Sequence, residues 1–126
     1  MRSRSLALAV TAALAACAAP DPRAAPAQAP QLAGRVAGSA QQCVAIRQND
    51  GLRVADYDRS TLLYGSGTTL WANHLGAGCR FRPNDVPVVE RTGSQYCRGD
   101  IVRSIDLVSG IPGPACVLGD FVPYSR

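Results

Sequence analysis

Apolar positions fall into three zones along this chain. Residues 6–16 are apolar apart from Thr11. Residues 17–40 hold prolines at positions 20, 22, 26 and 30, much alanine and little bulk, with neither a helical nor a strand period. From Gln41 onward, short β-branched and apolar runs alternate with turn residues, and no window repeats its apolar positions at helical spacing. Such runs predict strands. The run at 41–48 ends at Asn49-Asp50-Gly51, a strong turn signal, and "LRVADY" ends at the polar Asp58-Arg59-Ser60. "TLLYG" and "TTLWANHL" flank Gly65-Ser66-Gly67 and predict a hairpin. "VPVVER", "CRGDIVRSIDLV" and "ACVLGDFVPY" follow, separated by Thr92-Gly93-Ser94 and by Gly110-Ile111-Pro112-Gly113-Pro114. Pro87 lacks the N–H that a central strand donates, so its strand belongs at a sheet edge. The expected fold is all-β: a small antiparallel barrel or sandwich of six to seven short strands.

The first zone reads as an export signal. Arg2 and Arg4 precede the apolar run, which is too short to span a bilayer as a helix and is followed by Pro20 and Pro22. The run closes on Leu14-Ala15-Ala16-Cys17, which resembles the bacterial lipobox. That resemblance implies cleavage before Cys17, a diacylglyceryl thioether on its sulfur and acylation, palmitate included, of the new amino terminus. At roughly 0.8 kcal/mol per buried CH₂, several chains fix a protein to a membrane. Ala18 follows the cysteine where an inner-membrane retention signal has aspartate, so the expected location is the periplasmic face of the outer membrane.

The organisation that follows is a signal peptide at 1–16, an Ala/Pro-rich tether at 17–40 and a small β domain at 41–126. Roughly 80 residues is near the lower limit for an unaided core. With Cys17 lipidated, Cys43, Cys79, Cys97 and Cys116 remain, an even number in an exported domain, and two disulfides are expected. Three pairings are open. If the two final strands form a hairpin about the Gly-Pro turn, residues whose numbers sum near 213 face one another; this ranks Cys97–Cys116 with Cys43–Cys79 first. Cys43–Cys116, tying first strand to last, ranks second.

Charge narrows the partners. All thirteen basic residues are arginine, and loss of residues 1–16 lowers the formal charge from +4 to +2, which does not indicate a nucleic-acid binder. A single histidine and no CxxC pair imply no metal site and no cofactor. "LWANHLGAGC" carries the only tryptophan, Trp71, and the only histidine, His74, which join the candidate binding residues; strand alternation gives His74 a structural role rather than that of a base. "DYDRS" begins like a calcium loop but has Thr61 and Gly67 where glycine and glutamate are needed, so a turn with solvated aspartates is expected. Asp100, Asp106 and Asp120 are assigned to backbone amides or to Arg98 and Arg103 rather than to paired-carboxylate catalysis. "CRFRPND" puts Arg80 and Arg82 on one side of an extended segment, where they can grip a phosphate or carboxylate.

Taken in order, Cys43 and Ile46 in "CVAI", Asp56 before "TLLYG", "LWANHLGAGC", "YCRGDIV" and "CVLGDFVP" resemble a bacterial family of small exported proteins described as a domain of unknown function. The resemblance covers nearly all of the folded part and implies one compact domain. It supplies no catalytic or binding residue. The expected function is therefore that of a non-catalytic envelope lipoprotein, a binding or structural module whose partner is an envelope protein or cell-wall glycan. The alternative is a small β-barrel inhibitor of a cell-wall-degrading enzyme such as lysozyme, presenting loop 65–67 or loop 91–95.

Overall fold

The computed structural model describes residues 29–56 and 58–126; the expected signal peptide, Cys17 and the first part of the expected tether lie outside them. In chain order, a 3-10 turn at Pro30–Leu32 is followed by β1 (Val36–Ala37), β2 (Cys43–Ala45), β3 (Arg53–Val54), β4 (Thr61–Tyr64), β5 (Thr69–His74), β6 (Asp85–Glu90), β7 (Gln95–Cys97), β8 (Ile101–Asp106), β9 (Pro112–Val117) and β10 (Phe121–Ser125). These make a five-stranded sheet in the order β1-β10-β5-β4-β3, a pair β2-β7, and a three-stranded sheet β6-β8-β9, every pairing antiparallel. The protein is all-β and sandwich-like, with sheets that do not close into a barrel. Among the described residues no helix is long and apolar enough to cross a membrane.

The hairpin about residues 65–67 forms as its sequence requires, Tyr64 facing Trp71 and Thr61 facing His74. Its first strand reads Thr-Leu-Leu-Tyr without alternation because both faces are covered. Leu62 and Tyr64 enter a core between the sheets with Leu75, Phe81, Val102, Leu118 and Phe121. Leu63 enters a second core on the outer face with Leu32, Leu70, Ala72 and Tyr124. Leu32 is 1% exposed, and Ala29 lies beside it. β1 then pairs with β10, and the Arg35 guanidinium donates to the carbonyls of Gly67 and Thr68. Residues 29–40, expected in the tether, thus belong to the folded body. Their composition has no period because a two-residue strand and one anchoring leucine need none.

Two of the expected strands each split and change sheets midway, and β1 adds a strand from the expected tether, which raises the number to ten. The first breaks between β7 and β8, where Gly99 takes a φ of 94° and the Asp100 carboxylate accepts the Cys97 N–H. The second breaks between β9 and β10. There the wholly buried Asn73 amide donates to the Gly119 carbonyl at 2.8 Å and accepts the Gly119 N–H at 2.9 Å. A Cβ on Gly119 would stand 2.8 Å from the His74 carbonyl oxygen, so the crossing needs glycine. Pro87 does lie on an edge strand, β6.

The breaks also decide the disulfides, which are Cys43–Cys97 and Cys79–Cys116. Both Cys97–Cys116 with Cys43–Cys79 and the alternative Cys43–Cys116 are corrected. β8 and β9 do form a hairpin, but it sets Val102 opposite Cys116. Cys97 has already left that sheet and stands opposite Cys43 in the β2-β7 pair.

Candidate functional site

β3 and β6 are the edges of their sheets, and a cleft of about 850 Å³ lies along them. Leu52, Val54, Ala55, Pro83, Val86 and Pro87 give it apolar walls, and Arg53, Arg59 and Arg80 line it with guanidinium groups. Each arginine is placed by a separate device. Arg53 stands on β3 and donates from Nη2 to the Gly65 carbonyl at 2.9 Å. Arg59 sits on the turn before β4, donating from Nη1 to the Arg82 carbonyl, while its own carbonyl accepts the Phe81 N–H. Arg80 is bracketed by Cys79, bonded to Cys116, and by Phe81, whose ring is buried in the core.

Among the described residues, none of these three arginines forms an ion pair with a carboxylate. Two acids line the same cleft. Asp56 is exposed, and Asp85 is committed to Arg82. The Asp85 carboxylate is fully buried and accepts the Arg82 backbone N–H at 2.8 Å and Nε at 3.1 Å, with Nη2 at 2.9 Å. The hydrogen bond from Arg82 outweighs the effect of burial and holds the Asp85 carboxyl below the usual carboxylate range. Arg82 also donates to the Ile111 carbonyl. Arg80 and Arg82, adjacent on one side of an extended segment, therefore differ: Arg80 faces the cleft and Arg82 braces its floor. A cleft with apolar walls and unpaired planar donors is suited to bind a carboxylate or phosphate carried on a partly apolar ligand.

His74 is exposed at the end of β5 and does not line the cleft. Its Nδ1 lies 2.8 Å from Thr61 Oγ1, which donates to Asp58 Oδ2 at 2.5 Å. Because the Thr61 hydroxyl has one proton and gives it to Asp58, Thr61 Oγ1 accepts on the histidine side. Asp58 also accepts from the Ser60 N–H and hydroxyl. Burial acts to raise the Asp58 pKa, yet the hydrogen bonds from Thr61 and Ser60 prevail and hold it below the ordinary value. The relay braces the turn that carries Arg59. No group of three metal-ligating side chains exists among the described residues.

The remaining candidates are placed as follows. Trp71, half-buried in β5, lines a separate and smaller pocket. Asp100 and Asp106 accept backbone N–H groups, Asp106 holding the 107–109 turn, and Asp120 pairs with Arg98. Arg103 pairs with Glu90. Of the loops 65–67 and 91–95, Ser66, Gly67 and residues 91–95 are exposed and Gly65 is buried. Sequence reasoning missed Arg53 and Arg59, which come from different runs and meet Arg80 only through tertiary packing. The one signal that points to them is an excess of arginine over acid. Comparison with protein-family models, curated proteins and solved structures finds no match for this chain.

Proposed function

We propose that this chain is a lipid-anchored envelope module that binds an anionic ligand in the cleft between β3 and β6 and performs no catalysis. The observation that carries the reading is the set of three guanidinium groups, at Arg53, Arg59 and Arg80, lining an apolar-walled cleft without ion-pair partners among the described residues. The Leu14-Ala15-Ala16-Cys17 signal supports membrane attachment through Cys17, Ala18 after it favours the outer membrane, and an envelope offers carboxylates on cell-wall peptides and on proteins.

The test is co-sedimentation of the full chain with purified cell-wall sacculi. A hydrogen bond to a charged group contributes about 1.5–3 kcal/mol, so Arg80→Ala lowers affinity by about tenfold or more, and added salt does the same. Arg103→Ala, on the pair with Glu90, leaves binding unchanged. Equal binding by wild type and an Arg53→Ala/Arg80→Ala variant refutes the cleft. Attachment is tested separately by labelled palmitate, which wild type incorporates and Cys17→Ser does not. The exposed loops keep enzyme inhibition as a second reading, checked by whether the protein slows lysozyme on the same sacculi.

A further inference from the structure

The pocket at Trp71 has a different chemistry from the cleft. It encloses about 250 Å³ and is lined by Arg47, Asp50, Tyr64, Ser66, Thr69 and Trp71. That is below the roughly 300–1,000 Å³ of sites for drug-sized molecules and suits one ring-sized group. One acid and one base line it, so it has no net charge to offer an ion. Apolar surface comes from the indole, acceptors from Asp50, donors from Arg47, and groups that do both from Ser66 and Thr69.

The frame is fixed. Tyr64 is buried with both capacities of its hydroxyl in use, accepting the Arg47 N–H at 2.7 Å and donating to the Ala45 carbonyl at 2.9 Å. Ser66 donates to Asp50 at 3.3 Å, and Thr69 meets Ser125 at 3.1 Å. Gly65, at a φ of 86°, keeps the mouth open: a Cβ there would stand 3.2 Å from the Thr69 carbonyl oxygen and 3.6 Å from Trp71 Cδ1, covering the indole edge. A pyranose matches this set. Its C–H face lies on aromatic carbon while its rim of hydroxyls both donates and accepts.

We infer that the Trp71 pocket is a binding subsite for one uncharged sugar ring of an envelope glycan. The site stands independently of the cleft, since it needs neither Arg59 nor Arg80. It is nonetheless a neighbour: Arg53 lines the cleft and donates to the carbonyl of Gly65 in the pocket wall.

Trp71 is the only tryptophan, so the fluorescence of the unmodified full chain, excited beyond the tyrosine absorption band, reports on this pocket. The probes are N-acetylglucosamine tetramer and glucose tetramer, titrated to millimolar concentration. A saturable change in emission with at least one of them is expected. Asp50→Ala, which leaves the indole in place, raises the dissociation constant tenfold or more, and Arg80→Ala leaves it unchanged. No saturable response to either sugar overturns the inference. A response that Arg80→Ala abolishes also overturns it, because the pocket is then an extension of the anionic site.

Discussion

Removing one disulfide tests both the architecture and the rigidity of the cleft. The Cys79–Cys116 bond closes a sequence separation of 37 residues and Cys43–Cys97 one of 54. The chain-entropy relation gives about 3.8 kcal/mol for the first and about 4.2 kcal/mol for the second at 25 °C. Against a total stability of about 5–15 kcal/mol, either loss is severe and both together unfold most domains of this size. Alanine variants of Cys79, of Cys116 and of the two together should therefore lie within about 0.5 kcal/mol of one another, since each breaks the same bond. Cys97→Ala with Cys116→Ala breaks both bonds and should cost about 8 kcal/mol if the loops act independently. Urea unfolding followed by circular dichroism, with free thiols blocked, reads the difference. With m of about 1–3 kcal/mol/M, 3.8 kcal/mol moves the midpoint by about 1.3–3.8 M. A Cys97/Cys116 double variant no less stable than Cys97→Ala alone would show that those two residues share a bond and would refute the pairing.

Two further outcomes follow from the same packing and electrostatics. Leu32→Ala should cost about 2–5 kcal/mol by urea unfolding, whereas Val36→Ala, 76% exposed, should stay within about 0.5 kcal/mol; equal small effects would return residues 29–40 to the tether. Asp58 and Asp85 are both held below the ordinary carboxylate range, so unfolding raises their affinity for protons. Their stabilisation is full above about pH 4 and is lost as pH falls through the depressed folded values. The urea midpoint of the Asp58→Asn/Asp85→Asn variant should accordingly fall less on acidification than that of wild type, and parallel curves would refute the assignment.

What the sequence made legible depends on how local the cause is. The β4–β5 hairpin was readable because two strand-forming runs flank Gly65-Ser66-Gly67, and the edge position of β6 because Pro87 has no N–H to donate. The sheet changes at Gly99 and Gly119 were not. Each is a single glycine inside a run that otherwise continues as strand, and the second is held by Asn73, 46 residues away. The disulfide pairing inherits that difficulty, since it turns on which sheet Cys97 joins. Arg80 stands out in the sequence as able to grip an anion because Arg82 follows two residues later. Arg53 and Arg59 join it only when β3 comes to lie along β6. Leu32 was hidden in an alanine-rich stretch, although the uninterrupted Leu62-Leu63-Tyr64 already required a cover on both faces of β4.

The cleft also bears on why this domain carries its crosslinks where it does. Unpaired guanidinium groups lining one cleft repel each other, a cost that a body of about 100 residues meets with little to spare. Each is attached near a rigid point: Arg80 beside Cys79–Cys116, Arg59 on the turn braced by Asp58 and Thr61, Arg53 on β3 with its Nη2 held by Gly65. Fixing the donors in advance removes the entropy that long side chains otherwise lose on binding, and the planar fork of arginine loses less of it per hydrogen bond than lysine does. On the proposed reading, an anion entering the cleft relieves the repulsion and meets Arg53 and Arg59 already held by the Gly65 and Arg82 carbonyls. Because such a ligand binds the folded state alone, it must also raise the stability of the domain, by RT ln(1 + [L]/Kd). On the proposed reading, the cleft is thus a part of the fold whose occupation stabilises it.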